Sequence, residues 1–586
     1  MRGAAWMALA LGCCSAARAQ QALTFAHDIA PIVYQHCVSC HRPGQPGPFA
    51  LLTYADVKKH AEQIAAVTHS GFMPPWLPEA GYGAFAGERR LSEEERRKIG
   101  DWVKQGAAEG EASETPAPPA ADAEWPLGPP DLVLEAPEAL EVAASGPEVY
   151  WNFIFKPGLA ATRYVKAVDI HPGDRRLVHH ANLMIDRMGA AHFEETAPGQ
   201  GFPGMDLTLM RSPFDPDGNL IHWEPGVVPS VEPAGSAWRL DPGNELVLNT
   251  HLRPSGKIEH VRPTIGLYFA LQTISQPPAR FPLVIELEHD GALRIPAGAS
   301  DFLVSDDFRI PMDADILSVY PHAHYLGKLL EAYATLPTGE RRWLIRIPDW
   351  DPNWEDVYRY REPVFVPRGS VISMRYHYDN SAANPRNPNN PPRLVEAGNR
   401  TTDEMCHLWL QVLPRGTGDR RRELQEAVMR HRLELEPADF EARLNLGALL
   451  LSRLNAQDAV EMLESAVLLD PRRPEARNML GLALARVGRT REATGQFEAA
   501  LTARPDYASA RFNLANALVK SGRLEEAIAD FRQVLAGDPA NPVIRERLAS
   551  ALEGRAGALA EEGRRAEAEA LRKEAEALRG TGEARR

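Results

Sequence analysis

Between residues 131 and 415, short runs of alternating apolar and polar residues are separated by turns rich in Pro, Gly and Asp. Two examples are RYVKAVDIH (163–171) and ELVLNTHL (245–252). A period of two predicts antiparallel strands, each with one buried face. The stretch is long for a single core, so we predict two all-β sandwich domains, 131–268 and 269–415.

From about residue 420 the chain becomes rich in Ala, Leu, Glu and Arg and repeats every 34 residues. The positions that keep this step are prolines and small residues: Pro437, Pro471, Pro505 and Pro539; Gly447, Gly481 and Ala515; Ala459, Ala493 and Ala527. This period is typical of tetratricopeptide repeats, in which two antiparallel helices cross at small residues. We therefore predict an α-solenoid over 420–580, with Ala551–Arg586 as a polar capping helix; an irregular helical bundle is the alternative.

The N-terminal part differs from both regions. Residues 1–19 combine Arg2, an apolar run and Ala17-Arg18-Ala19, which is typical of an export signal. A buried first helix and a lipid-modified Cys13 are the alternatives. Residues 20–112 follow as a compact all-α domain, and 113–130 form a linker rich in Pro and Ala. An export signal predicts a periplasmic or secreted protein.

Charge and cysteine content narrow the function. The net charge of -14 argues against a nucleic-acid partner, because phosphate binding requires clustered Lys and Arg. Of five cysteines, Cys13 and Cys14 would leave with the signal, and Cys37 and Cys40 belong to one motif. Cys406 then has no partner, so a disulfide framework is excluded.

The motif CVSCH contains Cys37, Cys40 and His41. Two thiols on one helical turn can form thioethers to haem, and the adjacent imidazole then faces the iron. Half of a zinc site is the alternative, although no second cysteine pair is available to complete it. The sequence therefore predicts one covalently bound haem c.

The sixth iron ligand should come from downstream. Met73, in GFMPPW, is the prediction, because its thioether suits haem iron and two prolines would stiffen the loop. His60 and His69 are the competing ligands, and a methionine of the core is the structural alternative. The segment resembles a small class I cytochrome c over most of 22–107.

The β region also contains an unusual set of soft and borderline metal ligands. On a strand, His322 and His324 project from one face and can hold one metal. The adjacent His179 and His180 point to opposite faces of a regular strand, so they can share a metal only if the backbone bends. Imidazole combined with thioether favours copper. The candidate ligands are His179, His180, His251, His322, His324 and Met405.

In this order, HH, a later strand histidine, HAHYLGK and DEMC resemble the copper type II, ascorbate-dependent monooxygenases, the peptidylglycine and dopamine hydroxylase family. The resemblance covers roughly 160–412. It implies two β-sandwiches facing each other across a cleft. It also implies an electron-transfer copper on His179, His180 and His251. A second copper, which binds O₂ and substrate, would be held by His322, His324 and Met405.

The chain departs from the peptide-amidating branch of that family. Tyr320 replaces the arginine that binds a substrate carboxylate, and Trp409 replaces a tyrosine after the copper methionine. The disulfides of the family are absent as well. Peptide amidation is therefore not expected. His171, His222, His377 and His407 are weaker candidates for supporting or surface roles.

Three functions compete. The first is a monooxygenase that hydroxylates an activated C–H bond of a small organic substrate with O₂, using two coppers and electrons from haem c or a small reductant. The second is an electron-transfer or binding protein that has lost monooxygenation. The third is a scaffold whose repeats recruit a protein partner. The presence of all six copper ligands favours the first.

Overall fold

The computed structural model describes residues 22–119, 124–187, 191, 194, 195, 197, 199–204, 221–227, 229–271, 278, 280–537, 539 and 541–580. The predicted export signal, with Cys13 and Cys14, lies outside the described residues. The chain divides into two compact units. The first contains the described residues up to Trp76 and those from Gly87 to Glu124, and the second contains Leu77–Ala86 and Trp125 onward.

The first unit is helical. A π-helical turn (Phe25–Ile29) precedes four helices: α1 (Ala30–His36), α2 (Tyr54–Lys59), α3 (Ala61–His69) and α4 (Glu93–Lys104). Helix α4 begins with a capping box, in which Ser92 and Glu95 bond each other's backbone N–H groups. The buried face of α4 presents Ile99 and Trp102 to a core that includes Phe25, Ile29 and Val33.

The first β region of the second unit contains two antiparallel sheets that share one apolar core. Their strand orders are β1-β11-β4-β8 and β6-β3-β9-β5-β7, and β10 pairs separately with β2. The strands are β1 (Leu132–Glu135), β2 (Leu140–Val142), β3 (Val149–Phe155), β4 (Arg163–His171), β5 (Val178–Asp186), β6 (Phe202–Pro203), β7 (Ile221–Trp223), β8 (Trp238–Leu240), β9 (Glu245–Leu252), β10 (Glu259–Val261) and β11 (Thr264–Phe269).

Strand β9 differs from the prediction of one buried face, because all eight of its residues are buried. It lies in the middle of its sheet, between β3 and β5. Leu246, Leu248 and Leu252 enter the main core, whereas Val247 packs with Phe202 on the opposite face. The polar residues of β9 are therefore buried as well. A buried strand of this kind can hold a site of fixed geometry.

The second β region has two four-stranded antiparallel sheets, β12-β21-β15-β18 and β14-β19-β16-β17, and a short β13-β20 pair. The strands are β12 (Leu283–Glu288), β13 (Arg294–Ile295), β14 (Phe302–Arg309), β15 (Ala314–His322), β16 (Gly327–Thr335), β17 (Arg341–Ile347), β18 (Tyr358–Val366), β19 (Val371–Tyr378), β20 (Val395–Glu396) and β21 (His407–Pro414).

Residues 77–86 lie against this second β region, although the sequence places them inside the predicted 20–112 domain. Phe85 forms a bridge with Tyr360, and its ring stacks on that of Tyr360 at 5.1 Å between centroids. Glu79 forms an ion pair with Arg346. This packing of residues 77–86 depends on contacts between residues far apart in the chain. No local sequence pattern reveals such contacts.

The C-terminal region is helical. After α5 (Arg421–Leu435), four helix pairs begin at intervals of one repeat: α6 (Phe440–Ser452) and α7 (Ala456–Leu469); α8 (Pro474–Arg486) and α9 (Thr490–Ala503); α10 (Ala508–Lys520) and α11 (Leu524–Gly537); α12 (Pro542–Glu561) and α13 (Arg565–Gly580). None of the described helices has the length and hydropathy of a membrane span.

The glycines of the repeats have the role that the period predicts. A Cβ atom at Gly447 would lie 2.5 Å from Leu463, and one at Gly481 would lie 2.4 Å from Phe497. The paired helices therefore approach each other too closely for a side chain. The last segment differs from the predicted single capping helix: α12 extends to Glu561, and α13 folds back against it as the partner of a fourth pair.

We expect residues 420–580, expressed alone, to be strongly helical by circular dichroism, because each pair packs on its neighbours. In this fragment Gly481→Ala should lower the free energy of unfolding by about 1–3 kcal/mol through overpacking against Phe497. Gly495→Ala is the matched control. Its Cβ meets nothing within 4 Å, so it should raise stability by about 0.5–1 kcal/mol. Urea titration measures both, and equal effects would contradict the packing argument.

Candidate metal centres

The CVSCH motif follows α1 directly. The carbonyl oxygen of Cys37 accepts from the backbone N–H groups of Cys40 at 3.2 Å and His41 at 2.9 Å, so one tight turn carries all three side chains. The two cysteines are not joined by a disulfide. Burial, and then the neighbouring Cys40, raises the pKa of the Cys37 thiol to about 12. Cys37 and Cys40 are both thiols rather than a disulfide, as covalent attachment to haem requires.

The imidazole of His41 is held in a defined orientation. Its Nδ1 lies 3.1 Å from the carbonyl oxygen of Phe49, to which only an Nδ1–H can donate. This bond fixes the tautomer and leaves the Nε2 lone pair for a metal. A Cβ at Gly47 would lie 2.6 Å from the Cys40 carbonyl oxygen and 2.9 Å from His41 Nδ1. The cysteine pair and this imidazole fit a c-type haem.

The predicted sixth ligand lies in the loop after α3. The Met73 N–H donates to the carbonyl oxygen of Val67 at 3.1 Å, and its side chain is half-buried. Of the alternatives, His69 is exposed at the end of α3. His60 stacks on Phe49 at 3.8 Å, and Phe49 lies 5.0 Å from His41. His60 therefore remains the competitor nearest to the motif.

The structure brings His179, His180 and His251 together. His179 and His180 lie on β5, and His251 lies opposite them on β9. The pairing of these strands shifts register between Val178 and His180, so His179 occupies a β-bulge. The bulge turns both imidazoles to one side, with their Nδ1 atoms 3.2 Å apart. One nitrogen from each of the three rings lies within 4.8 Å of the others.

Glu148 orients the third imidazole. Its Oε2 accepts from His251 Nε2 at 2.6 Å, and this hydrogen bond lowers the pKa of the carboxyl to about 2. The His251 Nδ1 is buried and has no hydrogen-bond partner among the described residues. A carboxylate behind a ligating imidazole is the usual support of a metal site. The Nδ1 atom is the one that could bind a metal.

Burial keeps this cluster neutral. It lowers the pKa of His179 to about 3, with a further contribution from His180, and burial likewise lowers the pKa of His180 and of His251. Metals bind the neutral form of imidazole, so the three rings are prepared for a cation.

The second predicted set lies at the end of β15. His322 is the last residue of that strand and His324 follows it, with 5.4 Å between the ring centroids. Each uses Nδ1 for a protein contact: His322 with Glu355 Oε2 at 2.6 Å, and His324 with the carbonyl oxygen of Asp403 at 3.1 Å. With Nδ1 protonated, Nε2 of each ring is left for a metal.

Glu404 ties the Met405 loop to these histidines. One oxygen of its buried carboxyl accepts from the His324 N–H and, at 2.9 Å, from the Met405 N–H; the other accepts from the Leu326 N–H at 2.9 Å. The carbonyl oxygen of Met405 accepts from the Tyr378 hydroxyl at 2.8 Å. The backbone of the predicted ligand Met405 is thereby tied, through Glu404, to the backbone of His324.

Glu355 is a residue that the sequence analysis missed. It follows the turn Pro352–Trp354, is 4% exposed, and touches a histidine of each cluster. Its Oε1 lies 3.1 Å from His180 Nδ1, and its Oε2 lies 2.6 Å from His322 Nδ1. A single glutamate in a loop carries no sequence signature. Only the folded chain shows that the two histidine sets share it.

Tyr320 and Trp409, the two positions at which the sequence departs from the peptide-amidating branch, pack against each other. The ring of Tyr320 stacks on Trp409 at 5.0 Å and lies 5.1 Å from His222. His222 is buried; its Nδ1 bonds Asn182 Oδ1 at 2.8 Å, and its Nε2 has no hydrogen-bond partner among the described residues but lies 3.9 Å from Glu224 Oε2. The sequence indicates only a supporting or surface role for His222, but its ring is 5.6 Å from the His180 ring.

A third cluster joins His407 to Glu288 and Asp290. Burial alone would lower the pKa of His407, but the adjacent carboxylates, Asp290 foremost, outweigh it and raise the pKa to about 9. Arg432 also lies 2.7 Å from Glu288. A protonated imidazole cannot ligate, and the cations already compensate the acids. This cluster fits an ion-pair network better than a metal site. The weaker candidate His171 stacks on Trp125, and His377 bonds Asp301.

Comparison with known proteins concerns the C-terminal region. A family model described as Tetratricopeptide repeat matches residues 444–493 and 478–542. The C-terminal region carries tetratricopeptide repeats. No curated protein is significantly similar in sequence to the chain.

Two solved structures are similar to part of the chain. The crystal structure of MamA is 22% identical, covers 28% of this chain and 92% of its own, and has a TM-score of 0.24. YrrB, described as a TPR protein with an unusual peptide-binding site, is 21% identical over 27% of this chain and 77% of its own, with a TM-score of 0.24.

If Met73 is the sixth ligand, as the sequence predicts, Met73→Ala in the haem-loaded protein should remove the methionine–iron charge-transfer band at the red edge of the oxidised spectrum. His60→Ala is the matched control and should leave the band intact. An unchanged spectrum in Met73→Ala, with an altered one in His60→Ala, would assign the sixth position to His60.

Proposed function

We propose that the chain is an exported haem- and copper-dependent monooxygenase that hydroxylates an activated C–H bond of a small organic substrate with O₂. The observation that carries the proposal is the pair of histidine sets on either side of Glu355. One set is all imidazole; the other places two imidazoles beside the Met405 loop. In this proposal the helical 20–112 region is a cytochrome c-like domain, and 131–268 and 269–415 are the two copper β-sandwiches.

The donor types favour copper. Neutral imidazoles bind many divalent metals, but a thioether contributes little to Zn(II) and stabilises Cu(I). His179, His180 and His251 would hold one copper through their Nδ1 atoms. His322, His324 and Met405 would hold the other, with the two imidazoles binding through Nε2. The bound metals would supply one-electron redox chemistry and O₂ activation, which side chains alone lack.

The protein's own groups orient these ligands. The carbonyl oxygen of Asp403 and the carboxylate of Glu355 hold the two Nδ1–H groups of the second set, so each ring presents Nε2. Glu148 does the same for the first set from the opposite nitrogen of His251. Tyr320 and Trp409 stack on each other beside His322, 6.0 and 5.9 Å from its ring. Tyr320 is buried and its hydroxyl donates to Glu355. The partly exposed ring of Trp409 would suit a substrate with an apolar or aromatic part.

The remaining parts of the chain fit this activity. Hydroxylation requires two electrons per turnover, and a haem c on Cys37, Cys40 and His41, or a small reductant, would supply them. An export signal on residues 1–19 would direct the chain to the periplasm or outside the cell, where c-type haem is attached. Tetratricopeptide repeats bind other proteins through stacked helix pairs, so the repeats would recruit a protein partner.

We expect the wild-type chain to bind two coppers by elemental analysis. Met405→His should keep both but remove the Cu–S scattering path from the X-ray absorption spectrum of the reduced protein, because imidazole replaces the thioether. His179→Ala should bind one copper and keep the Cu–S path. His260→Ala, an exposed histidine on β10, is the matched control and should bind two.

Incorporation of ¹⁸O from ¹⁸O₂ into product, with a panel of small substrates, tests the reaction. If copper cycles between oxidation states but no product is labelled, the chain would be an electron-transfer protein and not a monooxygenase. Wild-type protein without copper, or a Cu–S path that persists in Met405→His, would overturn the ligand assignment.

A further inference from the structure

The buried carboxylate of Glu355 needs compensation, because an ionised group removed from water is costly unless it is paired. Its partners include the Tyr320 hydroxyl and two histidines, His180 from β5 of the first β region and His322 from β15 of the second. The turn before Glu355 is fixed by Asp351, whose Oδ1 accepts from the Asn353 N–H at 3.0 Å. The carboxylate is thus positioned by the fold.

The contacts of this carboxylate with His322 and with His180 have different roles. At His322, Glu355 occupies Nδ1 and leaves Nε2 for the second metal set, so it would support that ligand from behind. At His180, the contacted Nδ1 belongs to the first set and lies 3.2 Å from His179 Nδ1. A metal on that Nδ1 would replace the proton that Glu355 accepts. Because metal–ligand bonds are about 2 Å long, atoms 3.1 Å apart, as Nδ1 and Oε1 are, could be adjacent donors to one metal.

We propose that Glu355 is an oxygen ligand of the copper held by His179, His180 and His251, while its second oxygen positions His322 for the other copper. The inference rests on the proposed two-copper function. A carboxylate is a hard, anionic donor and stabilises Cu(II), whereas the thioether of Met405 stabilises Cu(I). A carboxylate on the first copper would lower the reduction potential of that site relative to one with three imidazoles alone.

Glu355→Gln tests the role in the full chain, because it keeps the size and one acceptor oxygen but removes the charge. Competition with a chelator should show Cu(II) binding at the three-histidine site weakened by about 10–100-fold. The electron paramagnetic resonance signal of that site should change, and its reduction potential should rise. Glu355→Asp should restore part of the affinity. Glu362→Gln, an exposed glutamate on β18, is the matched control and should match wild type in all three measurements.

A second measurement avoids the risk that the variant misfolds. In wild-type protein labelled with ¹³C-glutamate, the infrared difference spectrum between Cu(II) and Cu(I) forms should contain a carboxylate band that shifts with the label. A difference spectrum without such a band would overturn the ligand role. So would Glu355→Gln protein with wild-type affinity and resonance signal, in which case Glu355 only pairs the histidines of the metal-free chain. Wild type that binds no copper would overturn the proposed function itself.

Discussion

The candidate copper chemistry depends on one irregularity in the pairing of β5 with β9. Adjacent residues on a regular strand point to opposite faces of the sheet, so His179 and His180 would be separated by the sheet itself. The register shift between Val178 and His180 removes this separation and directs both rings toward His251. The bulge lies beside a fully buried central strand, where neighbours on both sides hold it in place. The first metal set exists only because that distortion is fixed by the surrounding core.

The same burial that fixes the geometry also sets the chemistry. Imidazoles in a dry environment lose their protons, and this keeps His179, His180 and His251 ready for a cation. The buried carboxylate of Glu355 is stabilised by the histidines that it orients, His180 and His322. Glu148 orients His251 from a more exposed position, where it also pairs with Arg253. Loss of the histidine partners would therefore cost more at Glu355 than at Glu148.

Regular features could be predicted from the sequence, and features that depend on distant contacts could not. The 34-residue period predicts the helix pairs because the two helices of each repeat pack in the same way. The close approach of Phe497 to Gly481 is an example of this packing. The family model confirms the repeats. The histidine pairs could be singled out because neighbouring ligands leave a local signature. The role of Glu355 could not be predicted, because its partners are far from it along the chain. The packing of residues 77–86 against the second β region could not be predicted for the same reason. The roles of the predicted metal ligands remain predictions, since the arrangement of the side chains does not by itself show that a metal binds.

The repeats are joined to the second β region by charge as well as by the chain. Arg432 on α5 lies 2.7 Å from Glu288 on β12, and His431 lies 2.6 Å from Asp306 on β14. Strand β12 pairs with β21, which begins at His407, two residues after Met405. The acids of β12 are therefore neutralised from one side by a helix that leads into the solenoid and from the other by the residue that starts the Met405 strand. These acids are partly buried and would lose stabilisation without their counter-charges, so α5 is part of the structure that supports the Met405 strand, whereas the helix pairs after α5 pack on one another.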